Sequence, residues 1–202
     1  MRYRNLLLVL VTAFTFTGCN FILKKMYGIK NPDVESEKTI LKFARKKQLH
    51  NDNIVTVNSN DYLAVIKGQS IPEAIVFDSN GQFIEYKQTD TSCNAGLFKF
   101  IPELNKNTKY NQPEHVNLQT ELSKFRDLKG SKLEPGSAAD FYVLIYWAVW
   151  TGKLNKDHVK VWEDLAYANK NAIIKVIKVN LDMQEYWEKT ERDAIIKQLS
   201  KK

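Results

Sequence analysis

The segment FYVLIYWAVW, Phe141 to Trp150, runs for ten residues without a charge. Successive side chains of a strand point to opposite faces, so a run that is apolar at odd and even positions alike is buried on both. It predicts a strand at the centre of a sheet covered on both sides. A helical stripe follows through Val159, Trp162, Leu165 and Ala166, and after it IIKVIKVNLD reads as a second buried strand. Strand, helix and strand at this spacing form a βαβ unit. A last amphipathic helix is expected near Glu185 to Lys201, through Trp187, Ile195 and Leu199.

The N-terminal half adds shorter elements. Asn31 and Pro32 suit the start of a helix, and Ile40, Leu41, Ala44 and Leu49 recur at helical spacing, so a helix is expected to about Gln48. NIVTV, Asn53 to Val57, is short and β-branched and reads as a strand. Asp61 to Lys67 reads as a brief helix closed by Gly68. IPEAIVFD then leads through Ser79, Asn80 and Gly81 into QFIEYK, and Asn-Gly between two such runs signals a hairpin. Asn94 to Leu104 is helical in pattern, with Pro102 ending or kinking it. Polar composition from Asn105 to Pro135 leaves one surface helix, Leu118 to Lys129, and EPGSAAD marks a turn or linker. Two halves, 31–104 and 141–202, thus flank a connecting segment, 105–140.

The first residues have a different character. Arg2 and Arg4 precede a run of apolar residues and threonine from Leu6 to Phe16, closed by Thr17, Gly18 and Cys19. This is the form of a secretory leader, residues 1–18. Small residues before a cysteine resemble the lipobox of bacterial lipoproteins, which implies a fatty-acylated Cys19 and a tether, residues 19–30, ahead of a single domain, residues 31–202. The alternative is an uncleaved anchor from Leu6 to Leu23, but that run is 18 residues long and holds three threonines, Gly18, Cys19 and Asn20, where a span prefers about 20 mainly apolar residues. The expected location is the bacterial cell envelope, outside the cytoplasm, with the membrane as a partner. Removing a leader that holds two arginines and no acid lowers the formal charge from +7 to +5. That excess is scattered, and no nucleic-acid reading motif accompanies it. Lys24 and Lys25 lie where anionic headgroups would attract them.

With Cys19 acylated, Cys93 is the one thiol left, so the mature chain makes no internal disulfide. His50, His115 and His158 match no metal-ligand spacing, and no phosphate loop or nucleophile elbow is present. Neither a cofactor nor a metal is expected.

Val143 to Asp182 resembles the second strand, long helix and third strand of the thioredoxins. Their signature is Trp-Ala-x-Trp-Cys-Gly-Pro-Cys-Lys. Trp147, Ala148, Trp150 and Gly152 match it, whereas Thr151, Lys153 and Leu154 stand in place of Cys, Pro and Cys. IPEAIVFDSNGQFIEYK resembles the part of that fold in which a cis-proline, here Pro72, opens a strand and a hairpin follows. It comes before the Trp147 motif rather than after it. The resemblance implies an α/β thioredoxin-like sandwich, a central mixed sheet with helices on both faces, in a rearranged element order. Either one sheet takes Phe141 to Trp150 into its centre, or two incomplete halves form; the single sheet is favoured, because neither half alone covers a buried central strand.

Thioredoxin chemistry needs a thiolate at a helix N-terminus and a second thiol to resolve the mixed disulfide. A threonine hydroxyl is too weak an acid to replace it, so Thr151 reads as a helix N-cap. The expected function is a non-catalytic binding or scaffolding module for a protein or peptide partner, with Trp150, Thr151, Gly152 and Pro72 as the candidate surface. The alternative is a single-cysteine thiol-redox or thiol-transfer protein using Cys93, whose thiolate a helix beginning near Asn94 would stabilise.

Overall fold

A computed structural model describes residues 24–87, 94–113, 116–133 and 137–200. The leader, Cys19, Cys93, His115 and Glu134 to Gly136 lie outside the described residues. In chain order the elements are β1 (Val34–Glu35), α1 (Glu37–Lys46), β2 (Ile54–Val57), α2 (Ser59–Gly68), β3 (Glu73–Asp78), β4 (Phe83–Ile84), α3 (Leu97–Glu103), α4 (Leu118–Ser123), β5 (Phe125–Arg126), β6 (Phe141–Trp147), α5 (Val161–Ala168), β7 (Ile174–Asn180), β8 (Met183–Gln184) and α6 (Lys189–Leu199).

Both halves contribute to one six-stranded mixed sheet, in the order β4-β3-β6-β7-β2-β5. β6 runs parallel to β7 and antiparallel to β3. β7 is parallel to β2, and both edges are closed by short antiparallel partners, β4 on β3 and β5 on β2. β1 and β8 form a separate parallel pair. The peptide bond between Ile71 and Pro72, just before β3, is cis.

The uncharged run explains the centre. Phe141, Val143, Ile145 and Trp147 pack on one face with Ile40 and Ala44 of α1, Leu97 and Ile101 of α3, and Trp162 and Ala166 of α5. Leu144, Tyr146 and Ala148 pack on the other with Tyr62 and Val65 of α2, Leu118 of α4 and Ile195 of α6. The fold is α/β with helices on both faces. Among the described residues no helix is long and apolar enough to cross a membrane.

Boundaries shift where local chemistry competes with periodicity. α1 starts at Glu37 rather than after Asn31. Val34 and Glu35 are taken into the ladder with β8, and Ser36 makes a capping box in which its Oγ accepts from Thr39 N while Ser36 N donates to Thr39 Oγ1. α4 stops at Ser123, short of Lys129. Phe125 and Arg126 pair with Val57 and Thr56, and Asp127 Oδ1 then accepts from Lys129 N and Ser131 N to set a turn. The helix after β6 begins with a π-helical stretch, Asn155–Lys160, before α5 proper.

Candidate functional site at the end of the central strands

In open α/β sheets, ligand sites lie outside the carboxyl ends of parallel strands. Here Trp147 pairs with Asn180, and Tyr146 with both Val179 and Glu73. That register brings the end of β6, the end of β7 and Pro72, the residue before β3, to one edge. Pro72 is buried, and its carbonyl accepts from Asn94 Nδ2 at 3.0 Å.

From Trp147 the chain leaves through Ala148 into a 3-10 turn, Val149–Thr151, and Gly152 at φ +63°. Thr151 is 1% exposed. Its one hydroxyl proton is shared between Ala148 O at 2.7 Å and Asn155 Oδ1 at 3.1 Å, and the Nδ2 of Asn155, itself fully buried, donates to Ala148 O at 2.8 Å. The sequence-based N-cap role is thus corrected. The hydroxyl gives its proton to a carbonyl oxygen instead of accepting from the first helical amides, because Asn155 one turn on offers the better-placed partner.

The amide of Lys153 is satisfied from elsewhere: Tyr27 O accepts it at 2.7 Å, and Lys30 N donates to Trp150 O at 2.9 Å. Residues 24–30 therefore lie across the turn. A Cβ on Gly152 would overlap the carbonyl oxygens of Tyr27 and Gly28, so this glycine is required both for its positive φ and for the close approach. Trp150 is half-buried and packs on the α2 and α6 side.

Under the turn lies Asp182, two residues beyond β7 and 1% exposed. One oxygen, Oδ2, accepts from Val149 N and from Asn180 Nδ2, each at 2.7 Å. Burial pushes its carboxyl up to about 7, against the lowering effect of the Val149 and Trp150 amides and the Asn180 side chain, and the charge of Glu35 adds to the rise. Its Oδ1 and Gln184 Oε1 are buried without a partner among the described residues. Both belong to one cluster, since Gln184 Nε2 donates to Asp182 O and Asn180 Oδ1. Protonation converts one of these surplus acceptors into a donor.

A second buried charge sits within β7. Lys178 and Glu163 of α5 are fully buried, with Nζ and Oε1 2.6 Å apart, and Glu163 Oε2 accepts from His50 N at 3.1 Å. A concavity of about 660 Å³ opens at the opposite end of the sheet, where Asn80, Asn117, Arg126, Lys132, Tyr142 and Lys175 surround an apolar floor.

Trp150, Thr151, Gly152 and Pro72 thus come to one end of the sheet, while Cys93 and Cys19 fall outside the described residues. Sequence reasoning missed Asp182, Asn155 and the Lys178–Glu163 pair. The signal was there for the pair: Lys178 falls on the same strand face as Ile174 and Val176, and Glu163 falls four residues after Val159 and three before Ala166 on the apolar stripe. No family model, curated protein or solved structure matches the chain.

Proposed function

We propose that the chain is a thioredoxin-like lipoprotein of the bacterial cell envelope, anchored through Cys19, that works as a non-catalytic binding or scaffolding module for a protein or peptide. The fold-level part rests on strand arrangement. The strand with the Trp-Ala-x-Trp motif is central, parallel to β7 through α5, and antiparallel to a strand that opens after Pro72 and turns into a hairpin.

The burial of Thr151 carries the functional part. Where a thioredoxin presents a nucleophilic sulfur, this chain has a hydroxyl that is 1% exposed, donates inward to Ala148 O and Asn155 Oδ1, and hydrogen-bonds to no carboxylate or imidazole among the described residues. It holds the turn together. Trp150, half-buried beside the segment across that turn, is the side chain left for a partner to grip.

Capture of a reduced, unfolded polypeptide by purified protein tests the reading, with Trp150→Ala expected to weaken capture at least fivefold in a variant that circular dichroism shows to be folded. Disulfide reductase or peroxidase turnover that Cys93→Ser abolishes would replace the binding module by the single-cysteine enzyme.

A further inference from the structure

The pole at which β6 and β7 end gathers lysines from three separate elements. Lys24, Lys25 and Lys30 come from the segment across the turn, Lys47 from the end of α1, and Lys153 and Lys156 from the entry to α5. These elements are in contact. Tyr27 O holds Lys153 N, and Phe43 of α1 stacks on Trp147 at the end of β6 with ring centroids 6.1 Å apart. Burial, together with the charges of Lys46, Lys156 and Lys153, lowers the pKa of Lys47, and Asp157 is the one acid acting against them.

None of these lysines takes part in an ion pair among the described residues. All but Lys47 are exposed. Exposed lysines are ordinary one at a time. Like charges drawn together from three elements repel one another, and a polyanionic surface relieves that repulsion.

Chain length indicates which surface. Lys24 is five residues after Cys19, and five extended residues span at most about 18 Å. A fatty acid on Cys19 therefore holds Lys24, and with it the segment across the turn, within that distance of the bilayer. Met26, on the same segment, is 52% exposed and adds an apolar contact.

We infer that this basic pole docks on the anionic headgroups of the membrane that anchors the chain. The inference builds on the anchored reading above but is tested apart from it. The polypeptide from Cys19, produced without its leader and so without lipid, is sedimented with vesicles of phosphatidylglycerol and phosphatidylcholine in equal parts, and with pure phosphatidylcholine. Binding to the mixed vesicles alone, falling as salt is raised, is expected.

Lys25→Gln, Lys153→Gln and Lys156→Gln together should lower that binding roughly a hundredfold, at about 1 kcal/mol per lysine near an anionic surface. All three side chains are exposed, so the thermal midpoint should hold. A control triple at the far end of α5, Lys106→Gln, Lys109→Gln and Lys170→Gln, should change binding less than twofold.

Equal binding to both vesicle types, or an equal loss in the control triple, overturns the inference. So does capture of soluble polyphosphate without capture of vesicles, which would reassign the pole to a free polyanion. Incorporation of labelled fatty acid that persists in Cys19→Ala would retire the anchor while leaving vesicle docking by the pole intact.

Discussion

Lys178 and Asp182 lie four residues apart on one stretch of chain, and each is almost fully buried, yet the fold handles their charges differently. Lys178, within β7, meets a carboxylate: Glu163 is 2.6 Å away and equally buried, and the backbone of His50 satisfies its second oxygen. Asp182, just past the strand, meets only dipoles, the amide of Val149 and the side chain of Asn180, and its other oxygen has no partner among the described residues. A buried charge with a counter-charge depends wholly on its partner. One with dipoles alone shifts its pKa toward neutrality instead. The middle of the sheet is therefore locked, whereas the site at its end is left sensitive to pH.

Removing a partner should hurt most where the charge is locked. Glu163→Ala leaves an ammonium buried with nothing to balance it and should cost about 3–5 kcal/mol in urea unfolding. Replacing both residues, Lys178→Met with Glu163→Leu, should return stability to within about 1 kcal/mol of the parent. A cost below about 1 kcal/mol for Glu163→Ala would mean that Lys178 has another partner, and the contrast with Asp182 would fail.

The pH profile tests the other side. The carboxyl of Asp182 is raised from 3.8 to about 7 on folding, so the folded state retains a proton that the unfolded chain releases near pH 4. Its contribution is fully present below about pH 4 and is lost as pH rises through 7, by roughly 4 kcal/mol in all. Asp182→Asn cannot ionise and should flatten this slope. The variant should match the parent near pH 4 and exceed it at pH 8 in chemical unfolding. A parent profile already flat between pH 4 and 8 would place Asp182 alongside Lys178 as a charge fully compensated by its surroundings.

How much of this was legible follows from how each signal arises. β6 was plain because both of its faces are apolar, which few other structures explain. The turn in of β3 to β4 was plain because Asn80-Gly81 fits a tight reversal, and Gly81 has φ +77°. The start of α1 was misplaced because Asn31 and Pro32 look like a cap, while the pairing of Val34 and Glu35 with β8 depends on residues almost 150 positions away. Thr151 was assigned the wrong bond for a related reason: its partner depends on a π-helical entry that places Asn155 beneath the turn, and no spacing rule anticipates that. Asp182 ends the run IIKVIKVNLD, and nothing in that run shows that the chain from Trp147 closes over it.

The end of the sheet also offers a smaller and more local test. Beside Asp182, with its unpaired oxygen, stands a network that is closed: Thr151 Oγ1, Asn155 and Ala148 O satisfy one another within the buried turn. Thr151→Val keeps the shape but leaves Asn155 Oδ1 without its donor, and should cost about 1–2 kcal/mol; Thr151→Ser, which keeps the donor, should cost less. Thr151→Cys places a thiol at the position that the resemblance aligns with a thioredoxin cysteine. Because the residue is 1% exposed and residues 24–30 lie across the turn, that thiol should react with an aromatic disulfide reagent at least a hundredfold more slowly in the folded protein than in urea, measured in a Cys93→Ser background. Rapid labelling of the folded variant would mean that the segment lifts readily from the turn, and that the pH-sensitive cluster beneath it is open to solvent.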